Sequence, residues 1–181
     1  ISKVVSKKVG TIGVFVNPTN VELKECLSEI DLEFIQLNGN ESQKRVHLIN
    51  LHFSYHPHHE TDRESRKRKR VIIKAIPVST KKDLDNISIY KNIADSFLYD
   101  TNNSQIADWS IFNKFFERKI PSHFFGTISG KINQENISSV LKTGTKSIDI
   151  SSGLENEIGE INIDKINSFF KFLKKNDLLY L

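Results

Sequence analysis

Methionine is absent from the 181 residues, and cysteine occurs once, as Cys26. A single cysteine excludes an internal disulfide framework and any metal site built on several cysteines. Because the chain begins at Ile1 and has no methionine, we expect that Ile1 is not the natural start of the protein. No apolar run approaches the roughly 20 residues of a membrane helix, and no signal peptide is visible, so a cytoplasmic location is expected.

The composition is otherwise ordinary, with 38% hydrophobic and 27% charged residues, and the length suits one well-packed domain over residues 1–181. The net charge of +4 raises the question of a nucleic-acid partner. Six basic residues within one short segment exceed that whole charge: Arg63, Arg66, Lys67, Arg68, Lys69 and Arg70. The basic character is therefore local, and we expect neither a nucleic-acid nor a membrane partner.

The segment 51–70 holds four of the six histidines and shows neither helical nor strand periodicity. We interpret it as a flexible surface insertion. Two alternatives remain, a metal site at His56, His58 and His59 and a nucleic-acid or targeting patch over 63–70. The first lacks a cysteine or regular ligand spacing, and the second lacks interleaved aromatic residues that would stack on bases.

Elsewhere, predicted strands alternate strictly with predicted helices. The strands are expected at 11–16, 32–37, 71–76, 94–99, 122–128 and 147–150, and the helices from Thr19, near Glu41, over 80–90, from Asp108, from Asn133 and near Asn162. This alternation predicts an α/β fold with a parallel sheet, either an open doubly wound sheet or a (β/α)8 barrel. Polar and glycine residues follow most strands, and those after the last two favour the barrel, whose last loops often hold a phosphate.

The last predicted strand runs directly into Ser151, Ser152 and Gly153. Small residues at a strand end allow backbone N–H groups to approach an anion closely, and a following helix favours negative charge, so this corner predicts a phosphate site. Asp149 lies between two isoleucines of the strand, where a carboxylate must be solvated, paired or functional.

Seven segments, in this order and spacing, resemble the phosphoribosylanthranilate isomerase family of tryptophan biosynthesis: TIGVFVN, LEFIQLNGNES, VIIKAIPV, FLYD, DWS, INQENI and IDISSGLENEIG. The resemblance covers nearly the whole chain from Gly10 onward, apart from the insertion. It implies a TIM barrel in which the strands predicted above are the third to the eighth, so that about six βα units are represented. It also implies a phosphorylated small-molecule substrate, no metal or cofactor, and a monomer or homodimer.

The family reaction is an Amadori rearrangement of N-(5-phosphoribosyl)anthranilate, which requires a general acid and a general base. The resemblance implies that Asp100, in FLYD, is the acid, although a helix-capping or merely exposed aspartate is the alternative. The family base is a cysteine at the end of the first strand, which this chain does not contain. Cys26 does not replace it, because its spacing places it on the apolar face of a predicted helix.

By the same resemblance, Asp149 orients the substrate near its amine, and Gly130, Ser151, Ser152 and Gly153 hold the phosphate through their loops. Lys131 stands where the family has a second glycine, so it either contacts the phosphate or obstructs it. A second hypothesis is a phosphate-ligand-binding barrel without catalysis, because the loop 101–107 is short and the loop at 130–131 is altered. Lys74 is either an inward-facing barrel residue or an ordinary strand-end lysine, and Trp109 is expected to pack its helix against the barrel.

Overall fold

The structure is a computed structural model that describes residues 9–55, 69–101, 109–112, 115 and 126–178. The described residues contain five strands: β1 (Ile12–Phe15), β2 (Phe34–Leu37), β3 (Val71–Pro77), β4 (Ser96–Asp100) and β5 (Thr127–Ser129). The same residues form five α-helices: α1 (Asn20–Glu29), α2 (Gln43–Phe53), α3 (Ile87–Tyr90), α4 (Ile137–Leu141) and α5 (Ile163–Lys175). Short 3₁₀ helices cover Lys81–Asn86, Trp109–Phe112 and Ser152–Leu154.

The strands form one sheet in the order β1-β2-β3-β4-β5, which follows their order in the sequence. The pairs β1–β2, β2–β3 and β4–β5 are parallel. The parallel α/β sheet that the alternation predicts is therefore present. The sixth predicted strand, 147–150, is reduced to a single parallel bridge between Ile148 and Ile128.

Helix α1 begins where its capping box predicts. The Thr19 hydroxyl accepts a hydrogen bond from the backbone N–H of Glu22, and the Glu22 carboxylate accepts one from the backbone N–H of Thr19. Helix α5 begins after Asn162, whose side chain accepts from the backbone N–H of Lys165, and it buries Phe169 and Leu173. Both helices are thus specified by local sequence.

Two other predicted helices contain shorter α-helical stretches than expected, and a third is described only in part. The segment 80–90 is a 3₁₀ helix followed by the single turn α3, and the helix expected from Asn133 begins at Ile137. The region at Trp109 is a 3₁₀ turn, with Trp109 buried in it as predicted, while Asp108 lies outside the described residues. Asn133 nevertheless caps the turn that precedes α4, because its side-chain oxygen accepts hydrogen bonds from the backbone N–H groups of Glu135 and Asn136. At the start of 80–90, the Asp83 carboxylate accepts hydrogen bonds from the backbone N–H groups of Ser79 and Thr80. Neither Asn86, directly before α3, nor Asn136, directly before α4, forms a side-chain cap.

The predicted insertion 51–70 is ordered at both ends. Residues 51–53 complete α2, and Tyr55 forms an antiparallel bridge with Lys69. The buried Arg70 guanidinium donates hydrogen bonds to the carbonyl oxygens of Leu32, Phe53 and Tyr55. The histidines and basic residues of 56–68, and with them both alternatives for this segment, lie outside the described residues.

The chain divides into two compact units, one of Ile1–Ile76 with Asp85–Phe97 and the other of Pro77–Leu84 with Leu98–Leu181. The first unit buries the apolar residues of β2, α2 and β3, among them Ile35, Val46 and Ile72. The second buries Tyr99, Phe112, Ile128 and Val140. No helix among the described residues combines the length and apolarity that crossing a membrane would require.

Candidate active site

Two carboxylates that the sequence singles out lie close together in the second unit. Asp100 is the last residue of β4 and pairs in register with Ser129 of β5. The Ser129 hydroxyl donates a hydrogen bond of 3.2 Å to Oδ2 of Asp149. The carboxyl ends of β4 and β5, together with the segment 147–150 that is bridged to β5, therefore bring both carboxylates to one edge of the sheet.

Asp149 is held in an environment that opposes its ionisation. Asp149 has an exposed surface, but nearby protein atoms bury its carboxyl group enough to raise its pKa. The hydrogen bond from Ser129 lowers this pKa, and the negative charge of Asp100 raises it further. A carboxyl group poised in this way accepts and releases a proton nearer neutral pH than an ordinary aspartate does.

The loop after β5 has a left-handed backbone at two consecutive residues. Gly130 has φ 107° and Lys131 has φ 51°. The conformation suits glycine but strains a lysine, and the Asn136 side chain donates a hydrogen bond of 2.8 Å to the Lys131 carbonyl. The Lys131 side chain is exposed, so its amino group is accessible from solvent.

Gly153 brings the next loop against this one. A Cβ atom on Gly153 would lie 2.0 Å from the carbonyl oxygen of Ile132, a distance that no side chain tolerates. The loops that carry Gly130 and Gly153, predicted to share one phosphate, are therefore in direct backbone contact. Ser151 and Ser152 are exposed beside this contact.

The helix predicted near Asn162 is present as α5, and it follows Ser151–Gly153 after a further stretch of loop. The loop continues into the 3₁₀ helix Ser152–Leu154, and α5 begins only at Ile163. Its first turn already carries Asp164, whose charge complements the helix dipole. The contribution of a helix N-terminus to anion binding stays a prediction, as does that of the backbone N–H groups of the two loops.

A surface cavity of about 420 Å³ adjoins the second loop, between residues 133–135, Gly153 and the start of α5. Gly153 alone among the predicted phosphate-binding residues lines it, and neither Asp100 nor Asp149 does. This cavity is thus separate from the edge at which the carboxylates meet.

An aromatic cluster packs around Tyr99, the residue before Asp100 near the end of β4. Tyr99 is buried against Phe112 and Phe115, with ring centroids 5.8 and 5.4 Å away. A Cβ atom on Gly126 would lie 1.8 Å from the Tyr99 ring, so glycine is the residue that fits there. Sequence reasoning found Asp100 but missed Gly126 and Ser129, because their roles depend on what faces them across the sheet.

In the first unit, Lys74 is buried in an ion pair, so it is not an ordinary strand-end lysine, and the inward-facing alternative stays a prediction. Its Nζ lies 3.0 Å from Oε2 of Glu41 and also donates to the carbonyl oxygens of Leu37 and Gly39. The other oxygen of Glu41 accepts hydrogen bonds from the backbone N–H groups of Asn17 and Gly39. This pair joins the carboxyl ends of β1 and β2 to the middle of β3. No pattern in the residues around Glu41 predicts its burial.

Cys26 lies on α1 and is half-buried. It is therefore on a helix, as its spacing predicts, and does not lie at the end of a strand. On that face Leu23 is fully buried, whereas Leu27 and Ile30 are half-buried like Cys26.

Comparison with known proteins places these residues in context. The sequence model described as "N-(5'phosphoribosyl)anthranilate (PRA) isomerase" matches residues 1–172. An N-(5'-phosphoribosyl)anthranilate isomerase of Parabacteroides distasonis is 31% identical over 169 residues, which are 88% of this chain and 67% of the relative.

Two solved structures are similar as well. The first, a phosphoribosyl anthranilate isomerase in complex with reduced 1-(o-carboxyphenylamino)-1-deoxyribulose 5-phosphate, has a TM-score of 0.70 at 26% identity and covers 96% of this chain and 76% of its own. The second, from Thermotoga maritima, contains monomers generated from a dimeric phosphoribosylanthranilate isomerase. It has a TM-score of 0.66 at 25% identity, and the match covers 92% of this chain and 73% of that structure's chain.

Proposed function

Because the chain belongs to the N-(5'-phosphoribosyl)anthranilate isomerase family, we propose that it converts N-(5-phosphoribosyl)anthranilate into 1-(2-carboxyphenylamino)-1-deoxyribulose 5-phosphate. The resemblance noted in the sequence is confirmed, and the protein is an isomerase of tryptophan biosynthesis. The observation that supports the reaction best is the convergence of Asp100 and Asp149 at one sheet edge, beside two loops in contact. Nothing in the described residues favours the non-catalytic alternative.

Asp100 is the proposed general acid. Protonation of the furanose ring oxygen by its carboxyl group breaks the bond from that oxygen to C1 and leaves a Schiff base between C1 and the anthranilate nitrogen. Removal of the C2 proton by a base then sends its electron pair toward the iminium, and the resulting enol tautomerises to the ketose. These steps are proton transfers, so the proposed chemistry needs no metal or cofactor. The base is not assigned to a residue of this chain.

Asp149 is the proposed partner of the substrate amine. Its carboxylate accepts a hydrogen bond from that nitrogen and stabilises the positive charge that develops there during ring opening. Burial and, to a smaller extent, the negative charge of Asp100 raise the pKa of Asp149, so the two carboxyl groups interact. A site with two interacting carboxylates suits a reaction that both donates a proton and stabilises a cation.

The phosphate is proposed to lie between the two touching loops. Backbone N–H groups of Gly130, Ser151, Ser152 and Gly153 are the proposed donors, and Lys131 supplies a positive charge. The left-handed backbone of 130–131 and the packing of Gly153 on Ile132 support this assignment.

The fold is proposed to be a single (β/α)8 barrel domain over 1–181, with β1 to β5 as its third to seventh strands and 147–150 as the eighth. The parallel sheet with strands in sequential order supports it, as does the similarity to the solved isomerases. Cytoplasmic location remains a prediction. A homodimer is the assembly to test first by light scattering, given the dimeric relative from Thermotoga maritima.

The reaction is tested by following the fluorescence of the substrate with the full-length gene product. Consumption of the substrate is expected, and Asp100→Asn should lower kcat by about 100-fold or more, the usual size of a general acid's contribution. Asp85→Asn is the matched control, because Asp85 is an exposed carboxylate outside the site. An unchanged rate in Asp100→Asn would remove Asp100 from its role, and an inactive wild type would refute the proposed function.

A further inference from the structure

Two hydroxyl side chains of β5 face the segment that carries Asp149. Thr127 donates a hydrogen bond of 3.0 Å to the Ser147 hydroxyl, and Ser129 donates one of 3.2 Å to the Asp149 carboxylate. Backbone hydrogen bonds from Ile128 to Ser147 and from Asp149 to Ile128 hold the same segment. The two side-chain bonds are thus equivalent in position, but only the bond from Ser129 reaches a carboxylate of the proposed site.

Ser129 is itself anchored to the strand end that carries Asp100. Its carbonyl oxygen accepts hydrogen bonds of 3.1 Å from both the backbone N–H and the hydroxyl of Thr101. Thr101 is 1% exposed, so this anchor is buried. Ser129 therefore has its backbone fixed to the residue after Asp100 and its side chain directed at Asp149.

Asp149 depends on such a contact for its orientation. Asp149 keeps an exposed surface although protein atoms lie near its carboxyl group, so packing alone does not fix the direction of that group. A hydroxyl that donates to one carboxylate oxygen fixes the direction of the carboxyl group and leaves the other oxygen available to a substrate.

We propose that Ser129 is a positioning residue of the isomerase, which orients the Asp149 carboxylate toward the substrate amine and stabilises its ionised form against the adjacent Asp100. This inference rests on the proposed function in assigning the amine to Asp149. Ser129 thereby joins the proposed site residues, and its role comes from the hydrogen bonds that link β4, β5 and the segment 147–150.

The charges around Asp149 determine the expected direction of the effect. The groups that face it among the described residues are the Ser129 hydroxyl from β5 and the Asp100 carboxylate from β4. Removal of the hydroxyl leaves the effect of burial, and the smaller repulsion by Asp100, unopposed and further raises the pKa of Asp149. A larger fraction of Asp149 is then protonated, and unable to stabilise a cation, at mildly acidic pH.

The test compares Ser129→Ala with Thr127→Val in the full-length gene product. Thr127→Val removes the equivalent hydrogen bond two residues earlier on the same strand without touching Asp149. Ser129→Ala should lower kcat/KM about tenfold or more, as expected for a lost hydrogen bond to a charged group, and should shift the acidic limb of its pH profile to higher pH. Thr127→Val should keep the wild-type limb, and Ser129→Thr should restore it.

Two results would overturn the proposal. One is an acidic limb in Ser129→Ala that coincides with that of the wild type, and the other is an equal shift in Thr127→Val, which would indicate general loosening of the segment. A ¹³C NMR titration of the Asp149 carboxyl separates this inference from the proposed function, because it needs no turnover. With an inactive wild type, a higher pKa of Asp149 in Ser129→Ala alone would still support the hydrogen-bond role, and equal titration curves would refute it.

Discussion

Lys74 and Glu41 form an ion pair of 3.0 Å in which neither side chain reaches solvent appreciably, with exposures of 4% and 0%. Both partners also bond to backbone groups at the carboxyl ends of β1 and β2. Loss of one partner of a buried pair leaves the other charge uncompensated, which typically costs about 3–5 kcal/mol. Glu41→Gln and Lys74→Met are each expected to lower the free energy of unfolding by about that amount in urea titrations.

The double variant distinguishes a coupled pair from two independent contacts. Glu41→Gln with Lys74→Met buries no net charge, so its loss of stability should be clearly smaller than the sum of the two single losses. Strict additivity would show that the pair does not act as a unit.

The same pair predicts a pH dependence. Burial opposes the charge of Glu41, but hydrogen bonds from Lys74 and from the amide of Asn17 outweigh it, so that the pKa of Glu41 lies below its ordinary value. A carboxyl group with a lowered pKa stabilises the fold above its unfolded pKa, and this contribution disappears as the pH falls through the folded pKa. Unfolding midpoints should therefore fall on acidification below about pH 4.5, near the ordinary pKa of glutamate, and less steeply in Glu41→Gln than in the wild type.

Thermal or urea midpoints measured from pH 7 to pH 3 provide the check. Gln at position 41 cannot titrate, so the difference between the two curves isolates this group from other carboxylates. Parallel curves would contradict the assignment.

Local sequence was sufficient for the elements that carry their own signals. The Thr19–Glu22 capping box and the apolar face with Phe169 and Leu173 both lie within single helices, and the observed α1 and α5 match them. The predicted strands likewise match β1 to β4 to within two residues at each end. These features depend on neighbours a few positions away, which a single sequence displays directly.

The features that were missed depend on distant partners. Glu41 is buried because Lys74, 33 residues away, compensates it. Ser129 orients Asp149 across 20 residues, and Gly126 is required by the ring of Tyr99. The segment 147–150 has a strand-like sequence, yet it forms a single bridge, because pairing depends on the facing strand as well as on the residue's own preference.

Gly153→Ala tests the contact between the two loops. The added methyl group would lie 2.0 Å from the Ile132 carbonyl oxygen, so one loop must move. We expect a loss of stability of about 1–3 kcal/mol, as for other overpacked sites, together with weaker binding of the reduced product analogue that the solved relative contains. Urea titration and calorimetry measure the two effects.

Ile158→Ala is the control for this substitution, because Ile158 is in the same loop and fully exposed. It should leave both quantities unchanged. Wild-type affinity in Gly153→Ala would show that the loop contact does not shape the phosphate site.

Two substitutions of Lys131 distinguish the effect of its charge from the effect of its strained backbone. Its φ of 51° is left-handed, which costs a lysine about 1 kcal/mol relative to glycine, while its exposed amino group is proposed to attract the phosphate. Lys131→Gln keeps the strain and removes the charge, whereas Lys131→Gly removes both. Both variants should bind the product analogue more weakly. Their affinity should also depend less on salt concentration, because the attraction between Lys131 and the phosphate, which salt screens, is absent.

Lys131→Gly should unfold at a higher urea concentration than Lys131→Gln, because glycine adopts this backbone conformation without strain and glutamine does not. Affinity by calorimetry at two salt concentrations and stability by urea titration therefore report different properties of one residue. Tighter binding by Lys131→Gly than by the wild type would mean that the lysine obstructs the phosphate. The second glycine of the family loop would then be the better ligand, and the positive charge of Lys131 would have no part in the site.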